Sequence, residues 1–477
     1  MSEIGAKKIE AMMMKAKIAS AVFHESDQEH TDRIVRAVYK AAFDNRVRLA
    51  EMAIEETGLG KLEDKIMKNV LASQFVYEDI KDLQTVGIGP EDKKTGIIEI
   101  YQPLGPIFAI IPMTNPTSTT IFKIMIALKT RNPIIIHPHR VALECTTETA
   151  RICYEAAMSE DAPEDCIQWG SGFDREDTNN MMAHKDLALV LATGGSSLVN
   201  AAYSSGTPAI GVGAGNVPVY IERSADYDYA VENIILSKTF DNGTVCASEQ
   251  AIVVEKDYSD YIQKKFESSK CYFMNDDEIE KVNKVVFNSK KGIMEGGIVG
   301  KSAEYIAGLA GISVPEGTVL LIGKLQNVGA DIPLSHEILA PVIAYYEVDD
   351  FDSAVNKCID LNYHGGVGHT VSIYSNDDAK IKDFSLHMNA GRIVVNTPSS
   401  HGAVGGFYNA LNASLTLGCG SGGKNITTDN VSAEHLLNIQ RITKKKLNQK
   451  FFAFDQTKYF NPNYKSGSLE KEFNHNF

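Results

Sequence analysis

The sequence predicts an α/β protein built from two doubly wound domains and a small β arm. Short apolar runs alternate with helix-length segments, and the alternation comes in two blocks. At 477 residues the chain is long enough for more than one core.

Residues 5–85 read as mainly helical, with Gly58 and Gly60 marking a break. "PIFAIIP" (106–112) then reads as a buried strand and "TSTTIFKIMIALKT" (117–130) as a helix. "NPIIIHPH" (132–139) and "VALECTTETARICYEAAM" (141–158) repeat the pair. "DCIQWG" (165–170) is a short strand, and "LALVLATGGSSLVNAAYSS" (187–205) a strand, turn and helix. "VPVYIE" (217–222) and "DYDYAVENIILSKTF" (226–240) close the first block. The second block, about 250–396, offers "AIVVE", "VLLIG", "PVIAYYEV", "HTVSIYS" and "GRIVVN" as strands. Repeated units of this kind predict largely parallel sheets. "TGIIEIYQPL" alternates apolar and polar residues, as a strand of a two-stranded arm does.

Forty-seven Lys and Arg against 61 Asp and Glu give a net charge of −14, which disfavours nucleic acid or an anionic membrane as the main partner. The N-terminus reads as an amphipathic helix rather than a signal peptide. No run approaches the roughly 20 apolar residues of a spanning helix. A cytoplasmic protein is expected. The seven cysteines show no CxxC pair and no Cys/His metal spacing, so free thiols and no metal are expected.

Two glycine clusters sit where α/β folds hold nucleotides. "LATGGSS" lies between strand and helix, so Thr193, Gly194 and Gly195 could face a phosphate. "GVGAGN", with Gly213, precedes a strand and fails the context of a dinucleotide fingerprint. Tight turns explain either cluster equally well. "IIIHPHR" ends a strand in His137, Pro138, His139 and Arg140, at the carboxyl end where ligands collect. Cys246, on the polar turn "FDNGTVC" ahead of an apolar run, is either a nucleophile or a small core residue.

In combination, "IIPMTNPTSTTIFK", "LKTRNPIIIHPH", "LATGG", "AAYSSGTPAIGVGAGN", "KTFDNGTVCASEQ", "SHEILAPV", "GGVGHT" and "TLGCGSGG" resemble the aldehyde dehydrogenase superfamily. The resemblance is to its CoA-acylating branch, and to the N-terminal half of bifunctional acetaldehyde/alcohol dehydrogenases. It spans about residues 5–445 and implies an aldehyde-dehydrogenase-like fold. The implied domains are a NAD(P)-binding domain (1–94 and 105–240), a catalytic domain (241–410), and an oligomerisation arm with tail (95–104 and 411–477).

The resemblance makes Cys246 the catalytic cysteine. Its thiolate adds to an aldehyde to give a hemithioacetal; loss of hydride to NAD or NADP leaves a thioester, and coenzyme A takes the acyl group. The oxyanion donors implied are the Cys246 N–H and an amide in "PMTNP": Asn115, with Thr114 as the alternative. Hydrolytic members carry a glutamate base where this chain has Val212, a vacancy that favours thiol over water as the acyl acceptor. His369 matches a histidine of the acetaldehyde-type acylating enzymes and would help deprotonate or orient CoA; capping a glycine turn is the other reading. Glu337 matches the glutamate that holds the nicotinamide ribose. Arg140 falls near the adenine-ribose position, where a basic group tolerates a 2′-phosphate, so the cofactor choice stays open.

Ser399, Ser400 and His401, in "VNTPSSHGAVGG", would close the aldehyde pocket. Their polarity keeps an anionic short aldehyde, sulfoacetaldehyde or succinate semialdehyde, beside acetaldehyde as substrate. "GCGSGG" lacks the tryptophan of the acetaldehyde enzymes. A hydrolytic dehydrogenase and a non-catalytic scaffold are the rival readings. Ending at 477, the chain is expected to lack an iron-dependent alcohol dehydrogenase half and to make no alcohol. The arm implies a homodimer or a dimer of dimers. The aromatic tail after Phe451 is expected to dock, ordered to at least Phe460, with Pro462 and Gly467 opposing a regular helix.

Overall fold

The structure, a computed structural model, describes residues 3–170, 172–444 and 456–476. Two compact units emerge: Met1–Thr85 with Pro103–Leu437, and Val86–Gln102 with Asn438–Phe477.

The large unit holds two sheets. The first has five strands in the order Ile167–Trp169, Ile134–His137, Ile107–Ile110, Leu189–Thr193, Ala209–Val212. Its pairings are all parallel. "IFAI" is buried throughout and "IIIH" up to its histidine, because helices cover both faces of such a sheet. The strand order reverses between Ile107–Ile110 and Leu189–Thr193, which opens a crevice at their carboxyl ends. Lys123, fully buried on the helix Pro116–Lys129, donates to Ile110 O (2.8 Å) and Leu191 O (2.9 Å), tying these two strands together.

The second sheet has seven strands: Cys271–Met274, Leu320–Lys324, Val342–Val348, Glu249–Glu255, Val217–Ile221, Gly368–Tyr374, Ala390–Val395. All five candidate strands of the second block are present. Val217–Ile221, placed in the first domain from sequence, pairs here with Glu249–Glu255 on one side and Gly368–Tyr374 on the other. An apolar strand reads the same in either sheet; only pairing assigns it.

The N-terminal helices include Gln28–Asp44, Arg46–Thr57 and Leu62–Val70. The last runs through a π-turn, Leu71–Phe75, into Val76–Ile80. It buries Lys65, Lys68 and Asn69 rather than an apolar stripe, so a polar face must find partners inside.

The small unit is a three-stranded sheet, Gly87–Glu91, Ile97–Pro103 and Leu437–Thr443 in that order. The first pair is antiparallel and bulged between Ile88 and Glu91. Arg441 pairs with Glu99 at 3.2 Å. The expected arm began its second part at 411, whereas residues 411–436 belong to the large unit. Of the tail, 451–455 lie outside the described residues. Ser466–Asn476 is helical across Gly467, against expectation: the glycine sits in the first turn and Pro462 precedes the helix, so neither interrupts it.

Candidate active site

Cys246 follows a turn whose backbone is left-handed at three successive residues: Asp241 (φ 48°), Asn242 (φ 51°) and Gly243 (φ 75°). Two consecutive non-glycine residues with positive φ cost free energy and persist only when their surroundings hold them. Asp241 is held by the helix Leu62–Val70 and its approach. Its Oδ1 accepts the Lys61 N–H (2.8 Å), and its Oδ2 accepts from Lys65 Nζ (3.0 Å) and Lys68 Nζ (2.5 Å). Its own N–H donates to Asp64 Oδ2 at 2.7 Å. Burial works to raise the Asp241 carboxyl, but Lys68 and Lys65 outweigh it and hold the group below the usual range. Asn242 Nδ2 donates to Gly300 O at 2.9 Å. Gly243 is required twice over, by its φ and because a Cβ would lie 2.9 Å from the Ala340 backbone.

The turn delivers Cys246 to a cavity of about 50 Å³. Asn115, Thr193, Ser400 and His401 share its lining with Cys246, as do Val212 and Lys68. Phe240, Val404 and Phe407 supply much of its apolar wall. Cys246 is half-buried, while the other six cysteines are buried. Burial pushes the Cys246 thiol up to about 12; Glu337 and Cys419 add to this and Arg392 opposes it.

Of the two oxyanion candidates, Asn115 lines the cavity and Thr114 does not. The Thr114 carbonyl accepts from Lys65 Nζ at 3.1 Å, which turns that residue toward the helix. Thr193 Oγ1 is buried and makes no hydrogen bond. Gly195 is the N-cap of the helix Ser196–Tyr203 and offers no side-chain cap, leaving first-turn N–H groups to face a ligand. A Cβ at Gly195 or Gly213 would meet nothing within 4 Å, so backbone there is open to approach. The His137 ring stacks on Phe173 (5.8 Å, 22°), and its buried Nδ1 has no partner. Burial lowers His137 to about 4, so it is neutral. Pro138 is buried, His139 half-buried and Arg140 exposed after this strand. An uncapped turn, an orphaned hydroxyl and an orphaned ring nitrogen fit a nucleotide laid across the strand ends.

Glu337 Oε1 accepts the Gly215 N–H at 2.8 Å, and burial raises the carboxyl to about 7. His369 is fully buried outside the cavity lining; its Nδ1 contacts Thr370 Oγ1 at 3.0 Å and its Nε2 has no partner. Burial and the Arg392 charge push His369 down to about 3, so it stays neutral and is a weak base. Ser399 is not among the cavity-lining residues; its N–H donates to Glu249 Oε1 at 2.9 Å, and its buried Oγ has no partner. Ser400 Oγ is engaged by Ser237 and by His401 Nδ1, at 3.0 Å each. His401 packs on Phe240 with ring centroids 4.4 Å apart, and burial lowers it to about 4.

Two residues escaped the sequence reading, and Asp241 was read only as part of the turn. Lys68 and Asp241 form the support just described. Arg392 lies buried behind Cys246 and donates to His369 O and Gly418 O, both at 2.7 Å. The one available signal was lone charges inside apolar segments, "IMKNV" and "GRIVVN".

A doubly wound fold with an uncapped glycine turn, whose Thr193 lines the same cavity as Cys246, has the parts a nucleotide-dependent thiol enzyme requires. The profile of the aldehyde dehydrogenase family matches residues 1–413, and this chain belongs to that family. It is 43% identical to an acetylating aldehyde dehydrogenase from Geobacillus thermoglucosidasius, with a TM-score of 0.90 over 94% of this chain and 99% of the other. It is 44% identical to the bifunctional aldehyde-alcohol dehydrogenase of Escherichia coli (strain K12) over 95% of this chain and 51% of that protein. The chain thus spans about half the length of that relative. A Rhodopseudomonas palustris propionaldehyde dehydrogenase, solved with bound CoA and an acylated cysteine, is 26% identical. Its TM-score is 0.81, over 91% of this chain and 97% of that one.

Proposed function

We propose that this chain oxidises a short aldehyde to its acyl-CoA with reduction of NAD or NADP, working through Cys246. The observation that carries this reading is the cavity lining: Val212 and Cys246 share it, and no carboxylate does. A thioester formed on Cys246 then has no carboxylate in the cavity lining to activate water, whereas a thiol such as that of CoA needs less help. The similarity to an acetylating enzyme over nearly the whole chain supports the same reading.

The chain's own groups have distinct tasks. Cys246 attacks the carbonyl carbon, and the oxyanion is met by the Cys246 N–H and the Asn115 amide. Bound nicotinamide supplies the hydride acceptor. The turn Thr193–Gly195, with His137 and the following Pro138, His139 and Arg140, holds the nucleotide, and Glu337 and the open turn at Gly213 serve its nicotinamide end. Exposed Arg140 leaves room for a 2′-phosphate. His369, with a basicity near 3, orients CoA rather than deprotonating it.

The cavity also speaks to the substrate. At about 50 Å³ the cavity is small, which suits a short aldehyde such as acetaldehyde. An anionic aldehyde would want a free cation, but all three Lys68 hydrogens have acceptors and His401 is neutral. Sulfoacetaldehyde and succinate semialdehyde are the second arm of the test. Short aldehydes presented with CoA, with NAD and NADP in parallel, should give acyl-CoA fastest with acetaldehyde. Equal rates without CoA, releasing free acid, would overturn the reading. The small three-stranded sheet supports a homodimer or dimer of dimers, and we place the enzyme in the cytoplasm; among the described residues no helix is long and apolar enough to cross a membrane.

A further inference from the structure

Asn115 occupies the N-cap of the helix Pro116–Lys129, where an asparagine side chain ordinarily accepts an N–H of the first turn. Here it makes no such bond. Its Oδ1 instead accepts from Lys68 Nζ at 2.6 Å, and its Nδ2 donates to Thr114 Oγ1 at 3.2 Å. The orientation follows from chemistry: an ammonium group only donates, so the amide atom facing it must be the oxygen. The nitrogen is thereby turned the other way, with one hydrogen given to Thr114 and one left over.

The same ammonium reaches the nucleophile's turn. Lys68 Nζ also donates to Asp241 Oδ2 at 2.5 Å and to Thr244 Oγ1 at 2.9 Å, and Thr244 stands two residues before Cys246. Lys65 repeats the tie at backbone level, donating to Thr114 O and Asp241 Oδ2. One buried cation therefore joins the segment carrying the oxyanion amide to the segment carrying the thiol. A misplacement of about 1 Å between such groups costs on the order of 100-fold in rate.

We propose that Lys68 is a positioning residue that aims the Asn115 amide at the reacting carbonyl and sets its distance from Cys246. This rests on the function proposed above, in which Asn115 meets the oxyanion. Removing Lys68 leaves Asp241 its bonds to Lys65, Lys61 and Thr244, so the turn keeps support.

The test uses a reaction that needs neither nucleotide nor CoA. 4-Nitrophenyl acetate acylates a thiolate: the S–C bond forms, the C–O bond breaks, nitrophenolate leaves, and the intermediate carries the same oxyanion. Lys68→Met should slow the burst on the order of 100-fold, with KM changed by less than about threefold. Asn115→Ala should slow it comparably, and the double variant should stay within about threefold of Asn115→Ala alone. Lys68→Gln, which can still donate to Asn115 Oδ1, should recover about tenfold over Met. If Met fails to fold, Gln completes the same cycle with a smaller first step.

Multiplicative losses in the double variant would overturn the proposal. So would a Lys68→Met burst at the wild-type rate, or rates that simply follow the melting temperature across Met and Gln. A wild-type protein that is acylated by the ester at Cys246 but makes no acyl-CoA from any aldehyde would sink the proposed function and leave the tie between Lys68 and Asn115 standing.

Discussion

The backbone of Gly215 passes between the two halves of the site: its N–H donates to Glu337 at 2.8 Å, and a Cβ on it would lie 2.3 Å from the Cys246 carbonyl oxygen. The same Cβ would come within 3.1 Å of the His369 ring. The obstacle at 2.3 Å is backbone and has no flexible end to swing aside. Gly215→Ala should therefore displace the cysteine turn, lowering kcat on the order of 100-fold and stability by about 1–3 kcal/mol. Steady-state kinetics and urea unfolding measure both; wild-type values in either would show that the turn yields freely.

Cys246 in the protein without nucleotide should react as a thiol of raised pKa. With its pKa raised to about 12, thiolate is the minor form at neutral pH. Its alkylation by iodoacetamide should accelerate about tenfold per pH unit from 7 to 10 without levelling off. A plateau below pH 9 would mean that the Arg392 charge outweighs burial. Cys246→Ser should abolish acyl-CoA formation while nucleotide still binds. Mass spectrometry after aldehyde and NAD should place the acyl group on Cys246 and not on Cys419.

Val212 should control the fate of the thioester. Val212→Glu puts a carboxylate into the cavity wall beside Cys246. A correctly placed general base is worth about 100- to 10,000-fold, so even a poorly placed one should raise CoA-independent acid release by about tenfold. Acid release is read by titration in the absence of CoA. No gain with an intact fold would mean that water does not reach the thioester.

Glu249 should make stability fall with rising pH. Burial raises its carboxyl from 4.5 to about 7 in the folded chain, against opposition from Ser237, the Ser399 N–H and Lys238. Between those values the folded chain retains a proton that the unfolded chain has lost. The contribution is therefore complete below pH 4.5 and is lost as pH rises through about 7. Its slope reaches at most about 1.4 kcal/mol per pH unit. Glu249→Gln should flatten this part of the profile, as measured by urea midpoints at several pH values. An unchanged slope would assign the dependence to other groups.

Much of this protein was readable along the chain. "IFAI" and "IIIH" are continuous apolar runs, and only a strand covered on both faces tolerates such a run at that length. "LATGG" followed by a helix pattern marked a candidate nucleotide turn, and the structure leaves the helix that follows uncapped at Gly195. Cys246 stood out by the polar turn before it. The failures are equally specific. Val217–Ile221 was drawn into the first domain because an apolar strand carries no label for its neighbours. Ser399 looked like pocket wall, yet Ser400 lines the cavity and Ser399, one residue away, does not.

The sequence by itself determined the α/β class, the two blocks of strands and the thiol, because each rests on residues adjacent in the chain or repeating at a fixed period. The tertiary structure decided which of Thr114 and Asn115 lines the cavity of that thiol and what ties the two segments together. Lys68 meets Asn115 across 47 positions and Asp241 across 173. No period links such positions. They converge because a helix with a buried polar face must satisfy every ammonium hydrogen, and the acceptors it finds are Asn115 and the strained turn that carries Cys246.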